Sequence, residues 1–499
     1  MLALRQRLRS HQVEALLGAL AAALATLTIA VFAERRLGGA GLFAPLMLVG
    51  AVLLVRRPIA AVALAVAAPI VCEGSTFGIP AMTRLYDPVF KQLTALDVLV
   101  AFAALAVALD LVRRRRQPHL PAALGLPLLL VVLAMASGLA VTLGQGWSPR
   151  DTLFSMHVLA YVLVLPVAVV NLDLDRDQLA LLLKGAVALA LLKAAMGLIV
   201  MATGGSVEID GGTHLTYYEP TANWLMLLAL LGTVAAIAGG MPKERWMIVG
   251  VPLLVAALLL SYRRSFWIAA VLGLLLVLLL GTSQRGRRVL VPALVLVAGA
   301  IWLVGSIEFQ AQTPLANRVQ SLAPSKLETN AEDRYRLDER VNVIAEIRRH
   351  PVAGIGLQQD WRASERPLPV EHVDGRLYVH FALLWWWMKL GLLGAVAFAS
   401  LIGGMLLLAW RTWRANSDPL FRCFGLASLC GVAGLVAVET TASFTGVDGR
   451  FTVVLAVQLG LLATLQRGAP RRRGDDPRTQ RAAPPSAGVR LWSPEAGAP

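Results

Sequence analysis

The sequence predicts an all-α polytopic membrane helical bundle of about 12–14 transmembrane helices, with one long extracytoplasmic loop containing an amphipathic helix. Three observations carry this. Hydrophobic residues make up 57% of the 499 residues and charged ones only 15%, against ~45–50% and ~25% in soluble domains. The apolar residues come in blocks of roughly 16–22, the length a helix needs to cross a ~30 Å hydrocarbon core. Lys and Arg gather in alternate connections between those blocks, the positive-inside pattern.

In chain order, Arg5, Arg7 and Arg9 precede an apolar run at 13–33, read as an uncleaved first span because it is long for a signal peptide. Further spans are expected at 41–55, 58–72, 95–112, 120–143, 152–170, 178–202, 221–240, 246–262, 265–281, 289–306, 381–410, 420–440 and 451–466. Arg56-Arg57, Arg113 to Arg116, Lys243 with Arg245, Arg285 with Arg287-Arg288, and Arg411, Arg414 and Arg422 all fall on the inner side, with both termini. The net charge of +15 is therefore a topology signal and excludes a nucleic-acid surface. Four segments result: an N-terminal transmembrane bundle (1–306), an extracytoplasmic, periplasmic loop subdomain (307–376), C-terminal transmembrane helices (377–466) and a disordered basic cytoplasmic tail (467–499). Cys72, Cys423 and Cys430 lie in or beside apolar runs and read as small buried hydrophobes rather than a disulfide or metal set.

Within the long loop, Thr329-x-x-Glu332 is a capping box with Asp333 in the same first turn. Leu337, Val341 and Ile344 recur at helical spacing, Arg348 and Arg349 occupy the last turn, and Pro351 ends the run. A helix is expected over 330–349, lying along the membrane face or over a cavity mouth.

The candidate chemistry is cationic and lies on the outer side. Arg263 and Arg264 separate two apolar runs; arginines at a helix end commonly snorkel, but an outer pair runs against the charge rule. Guanidinium is a permanently charged donor that can bond an oxyanion bidentately. His380 opens an apolar helix directly after the loop. An isolated interfacial His is ordinarily structural, yet an imidazole can also take a proton from a hydroxyl or bond an anion. Gly391 and Gly394 remove side chains below it and are expected to admit a neighbouring helix. Glu219-Pro220-Thr221-Ala222-Asn223 reads as a helix start, with Glu219 as a candidate substrate contact or general base and Asn223 as a candidate substrate contact. Arg340 on the loop helix has a solvated face as its default, and Arg150 is a further outer cation. Trp385, Trp386 and Trp387 read most economically as an interfacial aromatic belt. Asp173-x-Asp175-x-Asp177 has the look of a metal-binding run but falls inside, and Glu371 with His372 supplies only two ligands. No phosphate-binding glycine loop or nucleophile elbow stands in a suitable context.

Taken together, the register of these residues resembles the O-antigen ligase and O-antigen polymerase family of bacterial polytopic membrane glycosyltransferases. His350-Pro351-Val352-Ala353-Gly354-Ile355-Gly356 matches its His-Pro-x-x-Gly-x-Gly turn, and His380 with Gly391 and Gly394 matches its helix register. Arg264 takes the place of the Arg in the family's Ser-Arg dipeptide, with Arg263 replacing the Ser; Arg340 takes that of the Arg ahead of the turn. Two departures stand out: Phe381 follows His380 where the family has Asn, and Glu219 replaces the first Asn of an Asn-Pro-Asn helix entry. The resemblance implies an inverting, metal-independent transferase without a cofactor. Its donor would be an undecaprenyl-diphosphate-linked glycan and its acceptor a glycan or lipid A-core hydroxyl on the extracytoplasmic face of the inner membrane. Other polysaccharide-assembly membrane proteins would be its neighbours. On this reading Arg264 and His380 are catalytic, and Arg263, Arg340, Arg150, Glu219 and Asn223 bind substrate. The runner-up is a lipid-linked saccharide flippase, for which Lys184, Lys193 and Lys389 are the few mid-span charges.

Overall fold

The fold is given by a computed structural model that describes residues 52, 56–72, 88–90, 93–203, 207–209, 213–215, 220–239, 241, 245–281, 331–368 and 376–467. The expected spans at 13–33 and 289–306, nearly all of that at 41–55, the Thr329 cap and the tail past Arg467 lie outside the described residues. So do Glu219, Glu371 and His372.

The chain is an all-α bundle with two short hairpins in its connections, β1 (Pro88–Phe90) with β2 (Leu93–Thr94) and β3 (Val207–Ile209) with β4 (Thr213–Leu215). The helices are α1 (Pro58–Cys72), α2 (Ala95–Arg113), α3 (Ala122–Gly144), α4 (Pro149–Ser155), α5 (His157–Val170), α6 (Arg176–Ala202) and α7 (Pro220–Ala238). They continue as α8 (Arg245–Leu259), α9 (Arg264–Gly281), α10 (Ala331–Arg349), α11 (Ala382–Ala415), α12 (Pro419–Glu439) and α13 (Gly449–Thr464). Among the described residues seven helices, α2, α3, α6, α7, α9, α11 and α12, are long and apolar enough to cross a membrane. The pair α4 and α5, bent by 54°, makes an eighth if it is one span, and α1, α8 and α13 are shorter apolar helices.

Local sequence accounts for where these helices start. Thr94 and Asp97 form a reciprocal capping box on α2, and Asp175 and Gln178 do the same on α6. Ser148 caps α4 with Pro149 in its first turn, as Asp418 and Pro419 do for α12. The span expected at 152–170 is one helix too few, because the chain turns at Met156 between α4 and α5. The apolar run gives no sign of that bend.

α7 is the central post, most of its length buried against α8, α9, α12 and α6. α11 packs on α3 and α12, and α13 on α5. Small residues let backbones approach: a Cβ at Gly434 of α12 would lie 2.9 Å from the Ala269 carbonyl oxygen of α9. Leu105, Leu126, Leu181, Ile248, Val249 and Leu279 face outward, as a bilayer allows.

Contacts sort the connections to two ends. At one, Arg114 and Arg116 pair with Asp110 and Asp173, and Arg176 with Asp418 at 2.6 Å. The acidic run at 173–177 is thus accounted for by ion pairs and the Asp175 helix cap. At the other end lie the α3–α5 connection, the start of α9, α10, the 350–381 loop and the turn between α12 and α13. All the described candidate site residues belong to this second end.

Candidate functional site

The long helix α11 does not run straight into the bundle. Gly391 has φ 71° and ψ −165°, which breaks it within three turns of its start. Such a break frees backbone groups that must be satisfied elsewhere. The His350–Gly356 turn does so: Ile355 N–H donates to the Met388 carbonyl at 2.7 Å and Gly356 N–H to that of Lys389 at 3.2 Å. In return Leu392 N–H donates to the Val352 carbonyl at 3.1 Å. Only glycine fits on either side. A Cβ on Gly391 would lie 2.0 Å from the Val352 oxygen, and one on Gly354, at φ 72°, would lie 2.5 Å from the Gly391 nitrogen. Gly391 therefore admits a loop rather than the neighbouring helix expected of it. Gly394 serves the same bend, its α-carbon facing the Trp386 carbonyl oxygen, 2.2 Å from where a Cβ would stand. Lys389 is buried at the break and donates to the Gln359 carbonyl.

The tryptophans close this joint, correcting the belt reading. Trp386 is fully buried and its indole N–H donates to the Thr445 carbonyl at 2.9 Å. Trp385 donates to Leu377 O at 3.1 Å and Trp387 to Pro351 O at 2.9 Å. Trp387 and Trp385 hold the two ends of the 350–381 loop to α11, and Trp386 holds the turn between α12 and α13.

α10 forms where expected, yet it buries a different face. Leu337 is exposed and Val341 and Ile344 are only half-buried, whereas Tyr335, Val343 and Ile347 are buried together with Asp333, Asp338, Glu339, Asn342 and Glu346. That mostly acidic face is an assembly surface. Asp338 takes Arg366 at 3.1 Å, and Asn342 accepts from the Glu365 and Arg366 backbone at 2.8 and 2.9 Å. Asp333 holds Arg264 bidentately, Nη1–Oδ2 at 2.9 Å and Nη2–Oδ1 at 2.7 Å, with both side chains nearly buried. Arg336 approaches the same carboxylate at 3.6 Å.

Two turns along, Glu339 holds His380. Its Oε2 accepts the His380 backbone N–H at 2.9 Å and lies 3.0 Å from the imidazole Nδ1. Glu339 is 0% and His380 7% exposed. Tyr335 and Tyr378 stand edge-on to the imidazole, with centroids at 5.8 and 5.0 Å. Burial first and the Glu339 charge second push the Tyr335 phenol up to about 12. Burial likewise raises that of Tyr378. Both phenols thus stay neutral walls. The Tyr378 hydroxyl accepts the Ser443 N–H at 3.0 Å. Behind it Glu439 caps the 443–445 turn through the N–H groups of Phe444 and Thr445, each at 3.0 Å. Arg263 lies over the Phe444 ring at 5.7 Å, which brings it to this same turn.

The other candidates sit further out or deeper. Arg340 is exposed and stacks over Phe381 at 5.4 Å, so the residue standing in the family's Asn place is an aromatic platform for a cation. Asn223 is fully buried in the first turn of α7. Arg150 is exposed on α4, which Gln358 ties to the glycine turn by donating to the Asp151 carbonyl at 2.8 Å. Lys184 is exposed, whereas Lys193 is buried on α6, away from Lys389 at the α11 break. Among the described residues no group of three or more His, Cys, Asp and Glu could hold a metal ion.

Sequence reasoning missed Glu339, Tyr335, Tyr378, Ser443 and Glu439, and gave Asp333 only a capping role. The available signal was Tyr335, Glu339, Asn342 and Glu346, which recur at helical spacing. An acidic stripe reads as solvated by default, so the apolar one drew the assignment.

Residues 249–399 match the family model described as O-antigen ligase. The matched stretch starts in α8 and ends in α11, taking in Arg263, Arg264, α10, the glycine turn and His380. No curated protein matches the chain.

Proposed function

We propose, from the match of residues 249–399 to the O-antigen ligase family model, that the chain transfers a glycan from an undecaprenyl-diphosphate carrier to a sugar hydroxyl. The reaction takes place at the membrane end where α10 lies, which is the extracytoplasmic face by the Lys/Arg alternation. The single observation that carries this reading is that one helix fixes both candidate groups: Asp333 holds Arg264 and Glu339 holds His380. Six residues apart on a helix, the two carboxylates are about 9 Å apart along its axis, the scale of a diphosphate plus its sugar.

In this mechanism the acceptor oxygen attacks the anomeric carbon from the face opposite the diphosphate, so configuration inverts. His380 takes the hydroxyl proton as the new C–O bond forms. The C–O bond to the diphosphate breaks, and its electron pair leaves on the phosphate oxygen. Arg264, its guanidinium oriented by Asp333, stabilises that growing charge. It is also the first residue of α9, whose N-terminus adds positive potential at the same point. Arg263, Arg340 and Arg150 supply further cations for the carrier and glycan, and Asn223 with Glu219 are acceptor contacts. The electrostatic work is assigned to guanidinium groups, so the transfer needs no metal.

The test must separate catalysis from folding, because the Arg264–Asp333 pair is nearly buried. Removing one partner of such a pair leaves a buried charge and destabilises by about 3–5 kcal/mol. Arg264→Ala and Asp333→Asn both break the pair, but only the first removes a donor to the leaving group. At matched amounts of folded protein, Arg264→Ala should lose about 10²–10³ in turnover, with Asp333→Asn far less impaired. Arg264→Lys should not restore the rate. Equal losses in Arg264→Ala and Asp333→Asn would reduce the arginine to a structural tie and overturn its assigned role.

A further inference from the structure

The contact between α10 and His380 has more geometry than a helix tie needs. Glu339 is among the most deeply buried carboxylates described in the chain, and it meets His380 twice. Its Oε2 accepts the His380 main-chain N–H at 2.9 Å and faces Nδ1 at 3.0 Å, with Oε1 at 3.2 Å from the same nitrogen. A carboxylate only accepts hydrogen bonds, so Nδ1 must carry a proton. In the neutral imidazole the lone pair is then on Nε2. Tyr335 and Tyr378 approach the ring edge-on at interplanar angles of 76° and 83°, which limits its rotation about χ2. The main-chain bond fixes the height of the residue, the two tyrosines its plane, and the carboxylate its tautomer.

We infer that Glu339 is the positioning residue of the transferase, presenting Nε2 of His380 to the acceptor hydroxyl and balancing the imidazolium that forms. This rests on the reading of His380 as the base. When the acceptor O–H proton passes to Nε2, its oxygen bonds to the anomeric carbon and the C–O bond to the diphosphate breaks. The imidazolium then lies against a carboxylate in a dry site, where the charge pair is strong. Glu339 orients the ring without taking the proton, which leaves from Nε2 to solvent once product departs. The logic is that of an acid–base pair in which the carboxylate orients rather than transfers.

The side chains also set what each variant should do. Gln is isosteric with Glu and keeps an acceptor for the main-chain N–H, so Glu339→Gln preserves the packing. It loses the charge, and its NH2 group competes for the position facing Nδ1. Measured on full-length protein in detergent with a lipid-diphosphate-linked glycan donor, Glu339→Gln should lower kcat at least about 10-fold, toward the ~10²–10⁴-fold loss expected of His380→Ala. KM for the donor should change by less than about 3-fold, because Glu339 is fully buried against His380, and the melting midpoint should stay near that of the parent. Glu339→Asp, which keeps the charge on a shorter arm, should recover part of the lost kcat. If His380→Ala is inactive while Glu339→Gln turns over like the parent, the positioning role falls and the base reading stands. If His380→Ala itself is active, the base reading falls first. A loss in Glu339→Gln that Glu339→Asp does not relieve, or that appears as a raised KM with a lowered melting midpoint, would make Glu339 a packing residue and overturn the inference.

Discussion

Replacing Gly391 with Ala tests the joint on which the site is mounted. The native backbone there, φ 71° and ψ −165°, is in a region only glycine enters readily, and a side chain in it costs about 1–3 kcal/mol. The new Cβ would also stand 2.0 Å from the Val352 oxygen and 2.7 Å from the Ala353 carbonyl carbon. Ordinary contact is ~3.5 Å or more, so the glycine turn must withdraw by more than 1 Å, roughly. That movement breaks Leu392 N–H to Val352 O and Ile355 N–H to Met388 O, each worth about 0.5–1.5 kcal/mol net. The sum is about 2–6 kcal/mol, which at ~2–4 °C per kcal/mol lowers the melting midpoint in detergent by roughly 10 °C. Because the turn leads into the loop that carries Tyr378 and His380, transfer should fall with it. Gly403→Ala on the same helix is the control, since a Cβ there meets nothing within 4 Å. It should be neutral or stabilising by less than about 1 kcal/mol. The assays are thermal unfolding of the purified variants and restoration of surface glycan in a deletion strain. A Gly391→Ala protein that melts and complements like Gly403→Ala would refute the account of the joint.

Two further outcomes follow from the same geometry. Trp386→Ala empties a fully buried site and leaves the Thr445 carbonyl without its indole donor. It should cost about 3–5 kcal/mol, whereas Trp147→Ala at an exposed position should change stability by less than about 0.5 kcal/mol in thermal unfolding. Equal effects would restore the belt reading. For topology, cysteine introduced at Ser364, exposed beside α10, should react with an impermeant maleimide in intact cells, whereas cysteine at exposed Ser417 between α11 and α12 should react only after lysis. Labelling of both in intact cells would invert or dissolve the proposed orientation.

What the sequence made legible was what hydropathy and local caps encode. Nearly every described span lies within a few residues of its expected range, because a bilayer sets helix length and Pro, Ser, Asp and Thr mark the starts. The two breaks, at Met156 and Gly391, were not legible. A break in a membrane helix depends on what docks into it, and the partner of Gly391 is a turn some 35 residues earlier. Arg264 and His380 could be singled out because their types are costly at the end of an apolar run. Asp333 and Glu339 could not, since on a loop helix with many charges an acidic residue looks solvated until its partner is known.

That asymmetry also explains why α10 is acidic on its inner face. An apolar face would have docked as well and cost less to bury, because charges brought out of water regain little beyond what they lose. An apolar face would not, however, fix the orientation of a guanidinium or the tautomer of an imidazole. Asp333 and Glu339 each meet a partner with two contacts, which constrains direction as well as distance. The same helix also takes up Arg366 through Asp338 and the backbone around it through Asn342, so the segment leading back toward the membrane is set by it too. Stability alone gives no reason for so many buried carboxylates on one amphipathic helix. A requirement to hold two cationic or basic groups in fixed directions at the mouth of a membrane bundle does.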